Sequence, residues 1–323
     1  LLFTTEIGKN ISRAVALLKD KEVIGIPTET VYGLAGNALD EEAIIKIFTV
    51  KDRPVYDPLI VHVAGIAQAK DLVEEWPSWA QRLAEKFWPG PLTLLLKKKS
   101  IISDLVTSGL PRVGIRVPQH PLSLALLQQL DFPLAAPSAN PFGYISPTTA
   151  EHVMKQLSGK IPYILDGGNS SIGLESSIVG EDENGALVLY RPGGLSLQAL
   201  EEVCGCKLLI QQSSSRPEAP GLLLQHYAPR KKLLLYDESL ALQQGEKAGG
   251  IFFSEKKVGI PEENQLILSP KGDTREAAAR LFAYLREMDE RSELQVIFTA
   301  FVPETGLGYA INDRLRRAIQ AAH

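Results

Sequence analysis

Apolar positions along this chain follow two rhythms. Ile7, Ile11, Val15 and Leu18 recur at the spacing that lines one face of a helix, and the compact run Val23-Ile24-Gly25-Ile26, closed by Pro27, has the pattern of a buried strand. The same reading predicts a helix over 40–50, a strand over 59–63, helices between 66 and 87 and strands over 93–96 and 113–117. A helix over 122–130, a strand leading into Ala136, a helix over 148–157 and strands at Tyr163, 177–179 and 187–189 follow. Helices and strands interleave without strict alternation, so the expected fold class is α/β with a mixed sheet.

From Gln211 to Pro229 neither rhythm holds, and the stretch Gln-Gln-Ser-Ser-Ser-Arg-Pro-Glu-Ala-Pro-Gly is rich in breakers, as in an interdomain connection. Beyond it, apolar runs at 233–236, 251–253, 266–268 and 296–298 are separated by helical patterns at 275–288 and 311–322, predicting a smaller α/β unit with a parallel sheet. The expected division is a first domain over 1–208, a linker over 209–230 and a second domain over 231–323. No internal repeat is found.

Composition narrows the classes. With 323 residues, 45% hydrophobic and 22% charged, the chain is of ordinary globular make-up, and no apolar run approaches a membrane span. Its first residues lack the basic start and apolar middle of a secretory signal, so the expectation is a cytoplasmic protein. Cys204 and Cys206 are too few for a disulfide framework or a zinc site. A net charge of −4 argues against coating nucleic acid by electrostatics alone. The short basic runs Lys97-Lys98-Lys99 and Arg230-Lys231-Lys232 fit solvated charges or a weak RNA contact.

Candidate chemistry sits where strands end. Pro27-Thr28-Glu29-Thr30-Val31-Tyr32-Gly33-Leu34 brings hydroxyls, a carboxylate and a glycine to a strand's carboxyl end, where ligands of α/β sheets collect, although turn and capping roles for the threonines fit equally. In Lys51-Asp52-Arg53-Pro54-Val55-Tyr56-Asp57-Pro58-Leu59-Ile60-Val61-His62-Val63, two cations precede a proline-punctuated turn; they suit a polyphosphate, or simply the end of a helix dipole. His62, in an apolar strand, reads by default as a hydrogen-bonded core histidine. Ala135-Ala136-Pro137-Ser138-Ala139-Asn140-Pro141, with Ser146 and Pro147 shortly after, offers small residues and two polar side chains, in a binding loop or a capped turn. Gly173-Leu174-Glu175-Ser176-Ser177-Ile178-Val179 and Tyr190-Arg191-Pro192-Gly193 complete the set. Neither G-x-x-x-x-G-K-[ST] nor G-x-G-x-x-G occurs, and no Ser/His/Asp order, H-E-x-x-H or metal-spaced Cys/His set competes.

Together the segments P-T-E-T-V-Y-G-L, K-x-R-P with P-L-I-V-H, V-G-I-R-V-P, A-P-S-A-N, E-S-S-I-V and R-P-G, in this order, resemble the YrdC-type threonylcarbamoyl-AMP synthases. Pro220-Gly221 with His226-Tyr227-Ala228-Pro229, and Gly306-Leu307-Gly308-Tyr309-Ala310-Ile311-Asn312-Asp313-Arg314-Leu315-Arg316-Arg317-Ala318, extend the likeness to the longer, two-domain form. The resemblance implies a twisted mixed sheet with a basic concave cavity, a smaller Rossmann-like domain, and a linker folding over the cavity mouth. It implies the condensation of L-threonine, bicarbonate or CO2, and ATP, with Mg2+ on the ATP phosphates. The product then passes to a separate transferase complex that modifies tRNA.

By motif, the resemblance puts the nucleotide contacts on Lys51, Arg53, Asp57, Arg112, Ser138, Asn140, Ser146, Arg191 and His226, with Lys51 and Arg53 as the catalytic pair. The threonine contacts fall on Thr30, His62, Arg116, Ala136 through its backbone, and Ser177. Asp57 stands where many relatives have Asn, Arg112 where many have a small hydroxyl residue, and Leu222-Leu223-Leu224-Gln225 precedes His226 where others carry basic or aromatic residues. Two other readings share the fold: a double-stranded RNA-binding module, and a carbamoyl-transfer domain of the hydrogenase-maturation type. The second predicts use of carbamoyl phosphate, and the chain lacks the acylphosphatase and zinc-finger segments of such proteins.

Overall fold

The computed structural model describes residues 4–211 and 227–321, so His226 and most of the expected linker lie outside the described residues. Among the described residues the strands form two sheets, of eleven and four strands.

In the larger sheet the central neighbours run Ile24–Ile26, Gly33–Asn37, Leu134–Ala135, Ile60–His62, Arg112–Arg116, Leu92–Lys97, Ser177–Glu181 and Leu187–Arg191. Antiparallel pairs, such as Ile24–Ile26 with Gly33–Asn37, sit beside parallel ones, such as Ile60–His62 with Arg112–Arg116, so the sheet is mixed as expected. Gly33–Asn37 escapes the periodicity reading because its sequence, GLAGN, has no apolar alternation. Glycine fits the close packing there: a Cβ at Gly36 would lie 3.1 Å from a methyl of Val23 and 3.3 Å from one of Ile47, so those side chains would have to shift to admit it. Ile7 also departs from expectation. The helix begins at Ile11, because the Asn10 side chain caps it by accepting from the Arg13 N–H. Ile7 itself lies in the strand Glu6–Gly8, paired with Tyr163–Leu165.

The smaller sheet is parallel, built from Lys232–Leu235, Ala248–Phe252, Gln265–Ile267 and Val296–Thr299. Its spatial order is first, fourth, second, third strand. That keeps the parallel α/β character expected of it, but among the described residues it is not the 3-2-1-4 order of a Rossmann half. The helices Thr274–Glu290 and Gly308–Ala321 turn toward the larger sheet. Val31, Ile145 and Leu174 of the first unit pack in one apolar cluster with Phe282, Leu281 and Ile311 of the second. A Cβ at Gly173, whose φ is +75°, would meet backbone of Ala278 and Ala279 at 2.6 Å, so only glycine permits this approach.

None of the helices in the described residues is long and apolar enough to cross a membrane. Most of the basic-run side chains are turned to local partners: Lys98 to Asp104, Lys99 to the Lys70 and Asp71 carbonyls, and Arg230 to Asp289.

Candidate active site

Strand register gathers the candidate residues at one rim. His62 is paired with Arg116 at the carboxyl ends of two parallel strands, and Leu92 faces Ser177 at the start of two others. Gly33 bridges to Ser138, which follows the short strand ending at Ala135. A cavity of about 50 Å³ lies there, lined among others by Thr30, Arg53, His62, Arg116, Ser138 and Arg191.

Arg53 lines it from just beyond a helix end, while Lys51, the last residue of that helix, lies behind the lining residue Ser138. Asp40 caps the helix Glu41–Lys51 by accepting from the Glu42 and Ala43 N–H groups, and Asp52, at φ 52°, turns the chain sharply after Lys51. Lys51 is buried and donates to the carbonyl oxygens of Ser138 and, at 2.5 Å, Asn140. Burial, reinforced by the charge of Arg53, holds its ammonium well below the usual lysine range, with Asp57 opposing. Arg53 donates through Nε to the Asp57 carbonyl and through Nη2 to the Pro58 carbonyl, and pairs with the Asp57 carboxylate at 2.8 Å. Asp57 is therefore a counter-charge behind Arg53 and does not line the cavity. Asn140 gives both amide hydrogens to the Pro141 and Tyr144 carbonyls; its buried Oδ1 has no hydrogen-bond partner among the described residues.

Arg116, which also lines the cavity, donates from Nε to the Gly90 carbonyl, from Nη1 to the Thr30 hydroxyl at 2.8 Å, and from Nη2 to Glu29 at 2.6 Å. A guanidinium has five N–H donors, so one on each Nη remains for a ligand carboxylate. Thr28 instead closes a turn, its hydroxyl accepting from the Thr30 and Val31 N–H groups. His62 has its Nδ1 3.3 Å from the Ile60 carbonyl. Burial, then the nearby Arg116, pushes its pKa down to about 3, so it is neutral at physiological pH. Ala136 lines the cavity.

Among the expected contacts, Lys51, Asp57, Asn140 and Ser146 stand behind the lining residues, and Arg112 and Ser177 are turned to other partners. Arg112 lies at the far end of the strand that ends at Arg116, about 13 Å away at strand rise. It donates to the Glu181 carbonyl and to the Tyr190 hydroxyl, and lines a separate groove with Trp79 and Leu95. Ser177 exchanges hydrogen bonds with the Leu195 backbone at 3.1 and 3.2 Å, while its neighbour Ser176 lines the cavity, because successive strand residues face opposite sides. Ser146 stands one side chain back, its hydroxyl donating to Glu175 at 2.6 Å.

Arg191 donates to the Ser176 carbonyl and hydroxyl, both at 3.0 Å. The turn after it presses so closely on Glu175-Ser176-Ser177 that a Cβ at Gly193 would lie 2.3 Å from the Glu175 carbonyl, which accounts for R-P-G. Role assignment from sequence missed Glu29, Glu175, Ser176 and Tyr227 as cavity-side groups. Glu29 and Glu175 could have been found as carboxylates inside otherwise apolar strand-end segments, since such charges must be paired when buried.

At the cavity and directly behind it, Lys51, Arg53, Arg116, Arg191 and Arg314 face Asp57, Glu29 and Glu175, all buried. With Asp313, which also pairs with Arg314, five basic side chains stand against four carboxylates, a balance that leans positive and suits an anionic ligand.

Comparison with known proteins agrees with this arrangement. Residues 16–193 match the family model Sua5_yciO_yrdC, described as "Telomere recombination", and residues 195–319 match "Threonylcarbamoyl-AMP synthase, C-terminal domain". The threonylcarbamoyl-AMP synthase of Bacillus subtilis is 40% identical over 98% of this chain and 95% of its own length. That of Pyrococcus abyssi is 40% identical over 94% of this chain and 92% of its own. The crystal structure of P. abyssi Sua5 complexed with L-threonine superposes with a TM-score of 0.90 at 37% identity, covering 100% of this chain and 98% of that one. With the two family models together matching 16–193 and 195–319, and with relatives 40% identical over nearly its whole length, this chain belongs to the Sua5-type threonylcarbamoyl-AMP synthases.

Proposed function

We infer that this chain makes threonylcarbamoyl-AMP and pyrophosphate from L-threonine, bicarbonate or CO2, and ATP, for the threonylcarbamoyladenosine modification of tRNA. The observation that carries this reading is one buried cavity lined by Arg53 and Arg191 together with the hydrogen-bonded pair Thr30 and Arg116, with Lys51 behind Ser138.

The neutral amine of threonine captures CO2 to give a carbamate and a proton. A carbamate oxygen then attacks the α-phosphate of ATP, and pyrophosphate leaves. Two anions must meet, and Lys51, Arg53 and Arg191 offset their repulsion and the charge of the in-line transition state. Arg116 takes the threonine carboxylate with its two remaining N–H groups; Thr30 and neutral His62 face the amino-acid side. Ser138, Asn140 and Ser146 serve the nucleotide, and the open Oδ1 of Asn140 suits a hydroxyl donor such as a ribose. Catalysis is by positioning and electrostatics, with no side chain assigned as a dedicated base.

Mg2+ would enter with ATP as part of the substrate. The domain division 1–208, 209–230 and 231–323 belongs to this reading; the two sheets, which span 6–210 and 232–299, support it except that the strand Leu209–Ile210 carries the first unit two residues into the expected linker. A cavity of about 50 Å³ takes only a few waters, against the roughly 300 Å³ or more of small-molecule sites. Tyr227, which lines this space and falls within the expected linker 209–230, would give way on nucleotide entry, and a lid there would shield the labile product from water. Transfer to a separate tRNA-modifying complex in the cytoplasm completes the reading.

The test is incubation with ATP, Mg2+, bicarbonate and each amino acid in turn. Pyrophosphate release should require both threonine and bicarbonate. Release indifferent to threonine, or supported by carbamoyl phosphate in place of bicarbonate, would overturn the assignment. Salt-sensitive retention of double-stranded RNA with no such release would favour the RNA-binding module.

A further inference from the structure

We infer that Arg314, on the last helix of the C-terminal domain, is a positioning residue for the nucleotide side of the cavity, holding Glu175 and the Arg191-Pro192 turn in place from behind. This rests on the synthase reading above.

Arg314 is 1% exposed and lies within the helix Gly308–Ala321. Its Nε donates to Glu175 Oε2 at 2.8 Å, its Nη2 to the Pro192 carbonyl at 2.9 Å, and its guanidinium sits 4.9 Å from the ring centre of Tyr227. Glu175 and Tyr227 line the cavity, and Pro192 follows Arg191, which also lines it. The other oxygen of Glu175 accepts from the Ser146 hydroxyl at 2.6 Å. One planar fork from the second domain thus fixes a carboxylate, and through it a serine, on the first.

A second C-terminal arginine works on the same serine. Arg286, on the helix Thr274–Glu290, donates to the Ile145 carbonyl and, at 3.3 Å, to the Ser146 carbonyl. Ser146 is therefore held at its backbone by Arg286 and at its hydroxyl through Glu175. Neither arginine reaches Thr30 or Arg116, whose partners Gly90 and Glu29 belong to the first domain.

Simple interdomain adhesion is a poor account of Arg314. The apolar cluster of Val31, Ile145 and Leu174 with Phe282 already joins the domains, and buried ion pairs add little net stability over apolar packing. What a buried guanidinium supplies, steadied by Asp313 of its own helix and reaching both Glu175 and the Pro192 carbonyl, is orientation. The consequence is asymmetric: losing it disturbs the Glu175, Ser146 and Arg191 wall and spares the Thr30 and Arg116 wall.

The test compares Arg314→Gln, Arg314→Lys and, as a control on the same helix, Arg316→Gln, whose side chain is 45% exposed and pairs with Glu304. Initial rates of pyrophosphate release are measured against ATP at saturating threonine and bicarbonate, and against threonine at saturating ATP. Arg314→Gln should lower kcat/KM for ATP about 100-fold, the scale of a misplacement of about 1 Å. Its KM for ATP should rise at least about tenfold while its KM for threonine stays within about twofold. Arg314→Lys, with charge but no fork, should fall between, and Arg316→Gln should match the wild type. Equal rises in both KM values, or wild-type kinetics in folded Arg314→Gln, would overturn the inference. If that variant does not fold, Glu175→Gln carries the same test from the first domain. A wild-type protein without threonine-dependent release would instead fail the synthase reading itself, before any variant is compared.

Discussion

The ammonium of Lys51 lies 2.5 Å from the carbonyl oxygen of Asn140 and also bonds the carbonyl of Ser138, joining the end of one helix to a loop 87 to 89 residues further along the chain. A cation held only by carbonyl oxygens, its charge disfavoured by burial, is primed to gain when an anion arrives. Lys51→Met should therefore lower threonine-dependent pyrophosphate release by about 100- to 1,000-fold, the scale seen on removing one donor from a developing charge. Stability should change little, because the lost hydrogen bonds are offset by relief from burying a charge. Rate assays and thermal unfolding of the same preparation check both halves; an active Lys51→Met would remove Lys51 from the mechanism.

Asp57 predicts a different outcome. It is fully buried and 2.8 Å from the guanidinium of Arg53, so removing it strands a charge. Asp57→Ala should destabilise the protein by about 3–5 kcal/mol, read from urea unfolding. Asp57→Asn keeps an oxygen facing Arg53 and should cost clearly less. Equal losses in the two variants would contradict a counter-charge role.

Much of this was legible in the sequence, and the failures have physical causes. Buried strands such as Ile60–His62 and Val296–Thr299 announce themselves as short apolar runs, and the helix Thr274–Glu290 by its stripe, because burial of one face leaves a period. Gly33–Asn37 left none, since its role is to let neighbours approach. Site residues carried by strand-end motifs, such as Arg53, Ser138 and Arg116, came together at the cavity. Arg112 and Ser177 belong to matching motifs as well, but strand direction and alternation carry them elsewhere. The pairing of Glu175 with Arg314 spans 139 residues and two sheets, and no local pattern encodes it.

His62 gives a pH prediction. Its folded pKa is pushed down to about 3 by burial and then by Arg116, against about 6.5 in an unfolded chain. Between those values the unfolded chain binds a proton that the folded protein refuses. Its contribution to stability is therefore complete above about pH 6.5 and is lost as pH falls toward 3, at up to about 1.4 kcal/mol per unit. His62→Gln should lack this component. Urea unfolding of both proteins at pH 7, 6 and 5 should show their difference shifting in favour of the variant as pH falls; a constant difference would mean that His62 takes up its proton in the folded state.

The two walls of the cavity should separate kinetically. Arg116 satisfies the Gly90 carbonyl, the Thr30 hydroxyl and the Glu29 carboxylate at once, a geometry that a lysine ammonium on a flexible stem cannot reproduce while also presenting two parallel donors to a ligand carboxylate. Arg116→Lys should raise the KM for threonine at least about tenfold and leave that for ATP within about twofold, because Lys51, Arg53 and Ser138 keep their own partners. Thr30→Val, which keeps the shape and deletes the hydroxyl, should shift the same constant by a smaller factor and weaken the preference for threonine over its hydroxyl-free analogue 2-aminobutyrate. The discriminating measurement is the pair of KM values from pyrophosphate release at varied ATP and varied threonine. A rise confined to ATP in Arg116→Lys would exchange the two walls and place the amino acid beside Lys51 instead.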